Sequence, residues 1–330
     1  MIPLPLLTTL AVTVSIVQAH QSFVRLALNN VWQEPFRFIR YLSPLLSVIS
    51  ANIVFSRNRT APFEELSTPD TNYNVRNWTW PTYASDIPNS VRCARDNMAH
   101  AHDTDILRVK AGDSIEFVAV GLEPLEYNIS LGLVRWDGCA EGRGACGDLE
   151  GGSFPRFIHT GPVVMHLSQV PPGQDVRTYD GSGEWVKIHT SGLVVRKDPD
   201  RYVWLANNGD GEPARFITKI PKQTPAGQYL LRVDQIWPGY YWKEGNTIVR
   251  GSEGQLYPSC AQIEVESEVV GGKLPKGIKI PEDFSPASPG MQTNRDEQLG
   301  NFTGSDYVYP GGLLWDGETF IHEKLPLLTN

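Results

Sequence analysis

The chain has 330 residues and a formal net charge of −8, and its 30 glycines and 25 prolines are spread along the whole length. A negative charge without a basic block argues against nucleic acids and anionic membranes as partners, and it fits a neutral or weakly charged substrate. The length suits one large β domain or two small domains.

The N-terminal residues have the pattern of a secretory signal, which we assign to residues 1–19. Residues 4–17 are apolar, and the segment ends in Val17-Gln18-Ala19, which has the small residues that signal cleavage requires. The stretch is too short and wrongly flanked to span a membrane. Cleavage at its end would make His20 the first residue of a secreted, extracellular protein.

An apolar run at residues 42–55 stands in a region that otherwise has the composition of a loop. Two interpretations are open: a buried strand, or translated sequence from an intron left unspliced in the gene model. The run is too short for a membrane span. Sequencing the transcript would decide between them, since a cDNA that encodes the run would reject the intron.

The four cysteines form an even set, as expected for a protein in an oxidising compartment. Cys139 and Cys146 are close enough in sequence to close a small local loop, which leaves Cys93 and Cys260 for a long-range disulfide. The sequence is also compatible with the other two pairings. Four Asn-x-Ser/Thr sequons agree with export and are candidate glycosylation sites: Asn58, Asn77, Asn128 and Asn301.

Short strand-like runs separated by glycine and proline dominate the chain, and helical periodicity is scarce. The runs fall at residues 22–28, 106–109, 114–120, 163–167, 185–189, 214–220, 228–233 and 261–265. This pattern predicts an all-β fold, an antiparallel β-sandwich of the immunoglobulin-like or fibronectin-like kind with long loops. We expect one sandwich domain at residues 20–272 and a C-terminal loop or tail, residues 273–330, that wraps it.

Several short motifs follow one another along the chain, and together they point to a metal site. His20 at the predicted mature start is followed by His159-Thr160-Gly161-Pro162 and later by Gln255-Leu256-Tyr257. Other members of the set are Val109-Lys110-Ala111-Gly112-Asp113, Gly183-Glu184-Trp185-Val186, Pro225-Ala226-Gly227-Gln228-Tyr229 and Tyr309-Pro310-Gly311. In this order the motifs resemble those of the fungal lytic polysaccharide monooxygenases of auxiliary activity family nine, formerly glycoside hydrolase family sixty-one.

The resemblance implies a single copper ion held by three nitrogen atoms and one distant oxygen. The nitrogens are the amine and the imidazole of His20 and the imidazole of His159, and the oxygen is the phenol of Tyr257. Amine and imidazole nitrogens suit copper in both relevant oxidation states, and an α-amine loses its proton near neutral pH. Gln255 matches a family glutamine that hydrogen-bonds near the copper, so we expect Gln255 and Tyr257 to act in catalysis.

The activity implied by the resemblance is oxidative cleavage of glycosidic bonds in cellulose or a related β-glucan. A monomer would use O2 or H2O2 together with an external electron donor. The family usually has a further histidine upstream of the glutamine, but no histidine occurs here between His189 and His322. Two alternatives stay open: a non-catalytic copper-binding or carbohydrate-binding sandwich of the same family, and the same enzyme class acting on hemicellulose.

Aromatic residues in loop-like segments are candidates for contact with the polysaccharide. Tyr240, Tyr307 and Tyr309 are the three that we single out, because exposed rings in such segments can stack on the faces of sugars. The same residue type is equally suited to a buried core. Only the fold can separate the two roles.

Overall fold

The computed structural model describes residues 22–33, 81–95, 97–102, 104–120, 145–146, 159–196, 201–207, 215–294 and 307–323. The signal segment, His20, the apolar run at 42–55, Cys139 and the four sequons lie outside these residues. Within them, no helix has the length and apolar character needed to cross a membrane.

Strands make up most of the regular structure. They are β1 (Ser22–Leu28), β2 (Val31–Trp32), β3 (Leu107–Lys110), β4 (Ser114–Val120), β5 (Ala145–Cys146), β6 (Val163–Gln169), β7 (Val186–Ser191), β8 (Leu193–Arg196), β9 (Arg201–Trp204), β10 (Phe216–Lys219), β11 (Gly227–Trp237), β12 (Gly239–Glu244), β13 (Thr247–Arg250), β14 (Gln255–Glu266), β15 (Gln292–Asn294), β16 (Leu314–Trp315) and β17 (Phe320–Ile321). Two short α-helices, α1 (Pro88–Cys93) and α2 (Asn97–His100), precede β3. Short 3₁₀ turns occur at Val176–Thr178, Leu205–Asn207 and Glu282–Phe284.

The strands form two large sheets and two small ones. β10, β4, β1 and β2 make one sheet in that order, with β5 beside β4. The other large sheet has the order β17-β16-β7-β6-β11-β14-β3, and β11 is antiparallel to both of its neighbours. β12 lies between β13 and β15, and β8 pairs with β9. The predicted all-β sandwich is confirmed.

The core between the two large sheets follows from alternation along the strands, because successive side chains point to opposite faces. Tyr229, Leu231 and Val233 of β11 are fully buried in this core. Phe23 and Phe117 of the other sheet belong to the same core, and their rings meet edge to face at a centroid distance of 6.3 Å. The start of β1 is thereby fixed against the seven-stranded sheet.

The outer face of the seven-stranded sheet is buried as well. Leu230 and Ile236, which alternate with the core residues of β11, pack in a second apolar cluster with Phe284. The backbones of Trp185 and Ile278 exchange two hydrogen bonds of 2.9 Å beside this cluster. Residues 278–284 therefore lie against the outer face, whereas β16 and β17 extend the edge of the same sheet.

A row of basic side chains crosses the outer face. The register places Lys187 beside His166, and His166 beside Arg232, and all three are at most 1% exposed. The carbonyl oxygen of Gly311 lies 2.9 Å from His166 Nε2, and the Glu323 carboxylate lies 2.5 Å from Lys187 Nζ. The sheet thus holds the C-terminal segment through buried polar contacts, since buried charges need such partners.

Candidate metal centre

Four polar and aromatic side chains meet where β11 ends and β14 begins. The antiparallel register sets Gln235 opposite Tyr257, and Trp237 opposite Gln255. Alternate residues of a strand share a face, so all four side chains belong to one face of the sheet. Side chains directly opposite each other on neighbouring strands are close enough to interact. The sheet itself therefore assembles this part of the site.

His159 lies beside these four residues, in the segment that leads into β6. Its ring is stacked on Trp237 at a centroid distance of 4.5 Å and an interplanar angle of 23°. The Tyr257 ring is 6.0 Å away at 29°. Gln235 Nε2 donates a hydrogen bond of 3.2 Å to the backbone carbonyl of His159. These contacts fix both the backbone and the ring plane of a histidine that is only partly buried.

The turn that carries His159 requires glycine at position 161. Gly161 has a φ of +153°, and a Cβ there would lie 1.8 Å from the carbonyl oxygen of Ile236. The next residue, Pro162, accepts a hydrogen bond of 2.9 Å from the Ile236 amide. The His-Thr-Gly-Pro motif thus presses its loop against β11, one residue before Trp237.

Tyr257 is 2% exposed and donates its phenol proton to Gln255 Oε1 at 2.7 Å. Burial raises the pKa of the Tyr257 phenol well above its usual value of 10, and Tyr83 and Asp234 act in the same direction. The phenol therefore keeps its proton at neutral pH. It can offer a neutral oxygen to a metal while Gln255 holds its hydroxyl.

A buried ion pair between Arg232 and Asp234 holds the backbone of Tyr257. Asp234 accepts a hydrogen bond of 2.6 Å from the Tyr257 backbone amide and another of 2.6 Å from Arg232. Arg232 also donates to the carbonyl oxygens of Arg92 and Val91 in α1. Burial raises the pKa of Asp234 to about 6, while Arg232 and the Tyr257 amide act in the opposite direction. The backbone of the candidate ligand is thus tied to α1 through two charged side chains.

A disulfide joins α1 to β14 beside this ion pair. It links Cys93 to Cys260, 167 positions apart in sequence, with the two Cα atoms 5.1 Å apart. This is the long-range pair expected from the sequence. Cys139 and the side chain of Cys146 lie outside the described residues, so the predicted local pair stays a prediction.

β1 begins next to β14 on the face that carries the site. The backbone amide of Phe23 donates a hydrogen bond of 3.3 Å to Ser259 Oγ, two residues beyond Tyr257. His20, three positions before Phe23, lies outside the described residues. The contact nevertheless anchors the chain that follows His20 near the tyrosine.

The donor chemistry of the described residues fits copper only with additional nitrogen ligands. Those residues contain no group of three or more His, Cys, Asp and Glu side chains that could hold a metal ion. His159 and Tyr257 offer one imidazole nitrogen and one phenol oxygen. A site for copper favours imidazole and amine nitrogens, which the predicted mature N-terminus would add.

The three aromatic residues predicted to contact substrate have different positions. Tyr309 is 2% exposed, and its hydroxyl accepts a hydrogen bond from the Leu193 amide. Tyr307 is 9% exposed and packs against Trp204 at a centroid distance of 5.4 Å. Because their rings are buried, neither can stack on a polysaccharide, and we withdraw both from the candidate surface. Tyr240 is only partly buried and remains on it.

Sequence reasoning missed Trp237 and Asp234. Trp237 stacks on His159, and Asp234 holds the Tyr257 backbone. Both belong to β11, which was predicted to end at residue 233 but extends to Trp237. Continuing the alternation past that point would have put Trp237 on the same face as Gln235.

Comparison with known proteins gives a consistent result. The sequence model of Auxiliary Activity family 9 (formerly GH61) matches residues 58–303. The chain is 28% identical over 290 residues to AA9 family lytic polysaccharide monooxygenase G of Aspergillus tamarii, covering 84% of this chain and 70% of the relative. It is 27% identical to monooxygenase U of Thermothielavioides terrestris, covering 71% and 75%. Monooxygenase H of Malbranchea cinnamomea is 34% identical over a shorter match, 49% of this chain and 64% of the relative.

Solved structures share the fold. The crystal structure of HiLPMO9B superposes with a TM-score of 0.50 and 20% sequence identity, covering 90% of this chain and all of that one. The extended catalytic domain of H. jecorina LPMO9A gives the same TM-score at 19% identity, covering 90% and 93%. At this identity the likeness concerns the arrangement of strands.

Proposed function

Because this chain belongs to Auxiliary Activity family 9, whose members are copper-dependent lytic polysaccharide monooxygenases, we propose that it oxidatively cleaves the glycosidic bonds of cellulose or a related β-glucan. The observation that best supports this proposal is the convergence of His159, Tyr257 and Gln255 at one end of a sheet, beside the start of β1. An external electron donor and a polysaccharide surface are the partners that this reaction needs.

One copper ion would be held by the His159 imidazole, the Tyr257 phenol, and the amine and imidazole of His20. Copper, when bound, supplies the one-electron chemistry that activates dioxygen or hydrogen peroxide and hydroxylates a C–H bond beside the glycosidic oxygen. The protein's part is to fix the ligands before the metal arrives. The stacking on Trp237 and the hydrogen bond from Gln235 do this for His159.

Chain length allows His20 to reach this place. His20 is three positions before Phe23, whose amide is bonded to Ser259, and three extended residues span at most about 10 Å. The two strand residues from Ser259 to Tyr257 cover about 7 Å. The α-amine of His20 exists only after cleavage behind Ala19, so the proposal includes a signal at residues 1–19 and an extracellular location.

Tyr257 and Gln255 would act as a pair next to the copper. The phenol keeps its proton because burial raises its pKa, and a neutral phenol is a weaker ligand than a phenolate. Gln255 uses its carbonyl oxygen to accept that proton's hydrogen bond. Its amide nitrogen retains two N–H donors, which can orient the oxidant on the solvent side.

A non-catalytic copper- or carbohydrate-binding role is the second candidate. The observation that favours it is the absence of any histidine between His189 and His322 in the sequence. The aromatic ring stacked on His159 belongs to Trp237. Its indole has an N–H donor but no acceptor nitrogen such as a histidine has. Such a protein would bind copper through the same ligands without turnover.

The test uses the secreted full-length protein, with N-terminal sequencing before copper is added. We expect a mature start at His20, binding of one copper ion, and release of oxidised oligosaccharides from cellulose when ascorbate is supplied. Mass spectrometry identifies the products, and xylan and xyloglucan are tested in parallel to detect action on hemicellulose. His159→Ala is the matched variant and should lose both copper binding and products.

Each failure has a separate meaning. A mature start at any residue other than His20 would remove the proposed ligand set. Tight copper binding without oxidised products from any of the polysaccharides would favour the non-catalytic role. Equal copper affinity in the His159→Ala variant would reject the position of the site.

A further inference from the structure

A second tyrosine, Tyr83, lies at the candidate metal centre, on the side of β14 that faces away from β11. The residue before it, Thr82, pairs with Leu256 through two backbone hydrogen bonds of 2.8 and 2.9 Å. The pairing is antiparallel, so Tyr83 follows beside Gln255, the residue before Leu256. Trp237 of β11 pairs with Gln255 from the other side. Gln255 therefore has an aromatic residue on each side.

The side chain of Tyr83 belongs to the face of the sheet that carries the site. Thr82 is 1% exposed and lies opposite Leu256, which packs in the outer apolar cluster. Successive side chains of an extended segment point to opposite faces, which places Tyr83 on the face of Gln255 and Tyr257. Burial raises the pKa of Tyr257, and the Tyr83 hydroxyl is near enough to act in the same direction. Two phenols thus meet at the site.

A buried ion pair holds the backbone of Tyr83, as another does for Tyr257. Asp86 Oδ2 accepts a hydrogen bond of 2.9 Å from the Tyr83 amide and one of 3.1 Å from Arg95 Nη2. The side chains of Asp86 and Arg95 are at most 3% exposed. The Asp86 amide donates in return to the Tyr83 carbonyl at 2.9 Å. Each of the two phenols is therefore carried by backbone that is bonded to an aspartate with a buried arginine partner.

The turn after Tyr83 is also bonded to the residues that lead into β14. The Glu253 carboxylate accepts hydrogen bonds from the backbone amides of Ala84 and Ser85. Glu253 lies two residues before Gln255, whereas the pairing partner of the residue before Tyr83 lies one residue after Gln255. The segment is thus attached on both sides of Gln255, and these contacts keep Tyr83 beside it.

The hydroxyl group of Tyr257 needs protection from water if its oxygen is to face a metal. A phenol hydroxyl has one proton to donate and lone pairs to accept with. Tyr257 gives its proton to Gln255 Oε1 at 2.7 Å, which leaves its lone pairs for another partner. A water molecule at this hydroxyl would compete for the proton and would donate its own protons to the lone pairs. Tyr257 is 2% exposed, so its neighbours keep water away.

We propose that Tyr83 is a positioning residue of the metal centre, which shields the Tyr257 hydroxyl from water so that Gln255 takes its proton and a lone pair stays directed to the metal. This inference rests on the proposed function, and it adds a residue that is not itself a ligand. Tyr83 is only partly buried, as expected for a ring with one side against Tyr257 and the other toward solvent.

The first experiment needs no metal. Copper-free full-length protein is treated with tetranitromethane, which nitrates accessible phenols, and peptide mass spectrometry follows the nitration of Tyr257. We expect slow nitration in the unchanged protein, a rate about tenfold higher in Tyr83→Ala, and a nearly unchanged rate in Tyr83→Phe, which keeps the ring. Tyr202→Ala is the matched control, because it removes a partly buried tyrosine from β9 and should leave the rate at Tyr257 unchanged.

The second experiment measures the electron paramagnetic resonance spectrum of the Cu(II)-loaded protein, which depends on the strength of the distant oxygen ligand. The spectrum of Tyr83→Ala should shift toward that of Tyr257→Phe, which has no phenol oxygen. Tyr83→Phe should keep the spectrum of the unchanged protein. Copper affinity should change little in both Tyr83 variants, because the three proposed nitrogen ligands are untouched.

Thermal unfolding of each variant shows whether it is folded, and Tyr83→Leu takes the place of Tyr83→Ala if the latter does not fold. Equal nitration of Tyr257 with and without the Tyr83 ring, or an equal acceleration in Tyr202→Ala, would overturn the shielding. Faster nitration with an unchanged spectrum would overturn its effect on the metal.

The two proposals can fail separately. If the protein binds no copper, the proposed function fails, while faster nitration in Tyr83→Ala still supports the shielding of Tyr257. If oxidised products form from cellulose but the nitration rate is the same in Tyr83→Ala, the proposed function stands and the role of Tyr83 is rejected.

Discussion

Strand β11 has two very different faces at the end that reaches the site. Arg232 and Asp234 point to the outer layer, where they are completely buried and bonded to α1 and to the Tyr257 backbone. Gln235 and Trp237 point to the other face, and Trp237, which stacks on His159, is only partly buried. Neighbouring residues of β11 therefore belong to different surroundings: one face holds the outer layer together, and the other contacts the candidate metal centre. Substitutions on the two faces should have different effects.

The outer face would be most damaged by the loss of Asp234. Asp234→Ala leaves Arg232 as an uncompensated buried charge and the Tyr257 amide without its acceptor. Removing one partner of a buried ion pair costs about 3–5 kcal/mol, and we expect that loss in the free energy of unfolding measured with urea. Gln235→Ala, one position away, is the matched variant and should cost about 1 kcal/mol.

Equal destabilisation by Gln235→Ala and Asp234→Ala would contradict the predicted difference between the two faces of β11. A double variant, Arg232→Met with Asp234→Leu, tests the role of the ion pair more directly. It removes both charges together and should recover part of the lost stability, because apolar residues of similar volume can replace a buried pair. The Tyr257 amide stays without its acceptor, so recovery should be incomplete.

The disulfide on the same outer face should rank next. Replacing both Cys93 and Cys260 by serine frees a loop of 167 positions, and such a loss costs about 2–5 kcal/mol. The proposed ligands His159 and Tyr257 keep their own contacts, so the folded fraction should bind copper with unchanged affinity. Urea unfolding and a copper titration at low temperature measure the two quantities separately. A parallel loss of copper affinity would mean that the outer face also shapes the ligands.

His166, also on the outer face, should make stability depend on pH. Burial lowers the pKa of His166 well below its usual 6.5, with Arg232 and Lys187 acting in the same direction and the Gly311 carbonyl opposing them. The native state stays neutral at this ring while the unfolded state takes up a proton. The contribution of this ring to the free energy of unfolding is therefore fully present above about pH 6.5, and it is lost progressively as the pH is lowered.

Between about pH 7 and about pH 5, the free energy of unfolding should fall by about 2 kcal/mol because of this ring. His166→Gln keeps an N–H donor for Gly311 but does not titrate, so its unfolding free energy should decline less over the same interval. Urea unfolding at several pH values gives the difference between the two proteins. Parallel curves would show that the native ring is protonated despite its burial.

Some residues of the candidate site could be predicted from the sequence, and others could not. The order of the short motifs identified His159, Gln255 and Tyr257, and the structure brings these three together. Trp237 and Asp234 could not be found in this way, because their roles depend on the register between β11 and β14. Tyr309 was misjudged because its burial depends on Trp204, over a hundred positions earlier. Local sequence patterns identify the proposed ligands, whereas the residues that pack against them come from distant parts of the chain.

The smallest effect on stability should come from Trp237, on the face of the site. Replacing a partly buried ring that makes one stacking contact costs about 1 kcal/mol, so Trp237→Leu should unfold close to the unchanged protein. Copper affinity should fall about tenfold, because residues that orient a metal-binding histidine have effects of that order. Trp237→Phe keeps a ring against His159 and should keep most of the affinity.

Fluorescence tests the position of Trp237 independently of turnover. Its ring lies 4.5 Å from the His159 ring, so Cu(II) bound to that imidazole should quench its emission strongly. The other eight of the nine tryptophans contribute a background that is also present in Trp237→Phe. The quenched fraction should therefore drop in this variant while the copper affinity is retained. An unchanged quenched fraction would place the metal away from Trp237. The stacked pair would then be a structural contact without a part in the metal site.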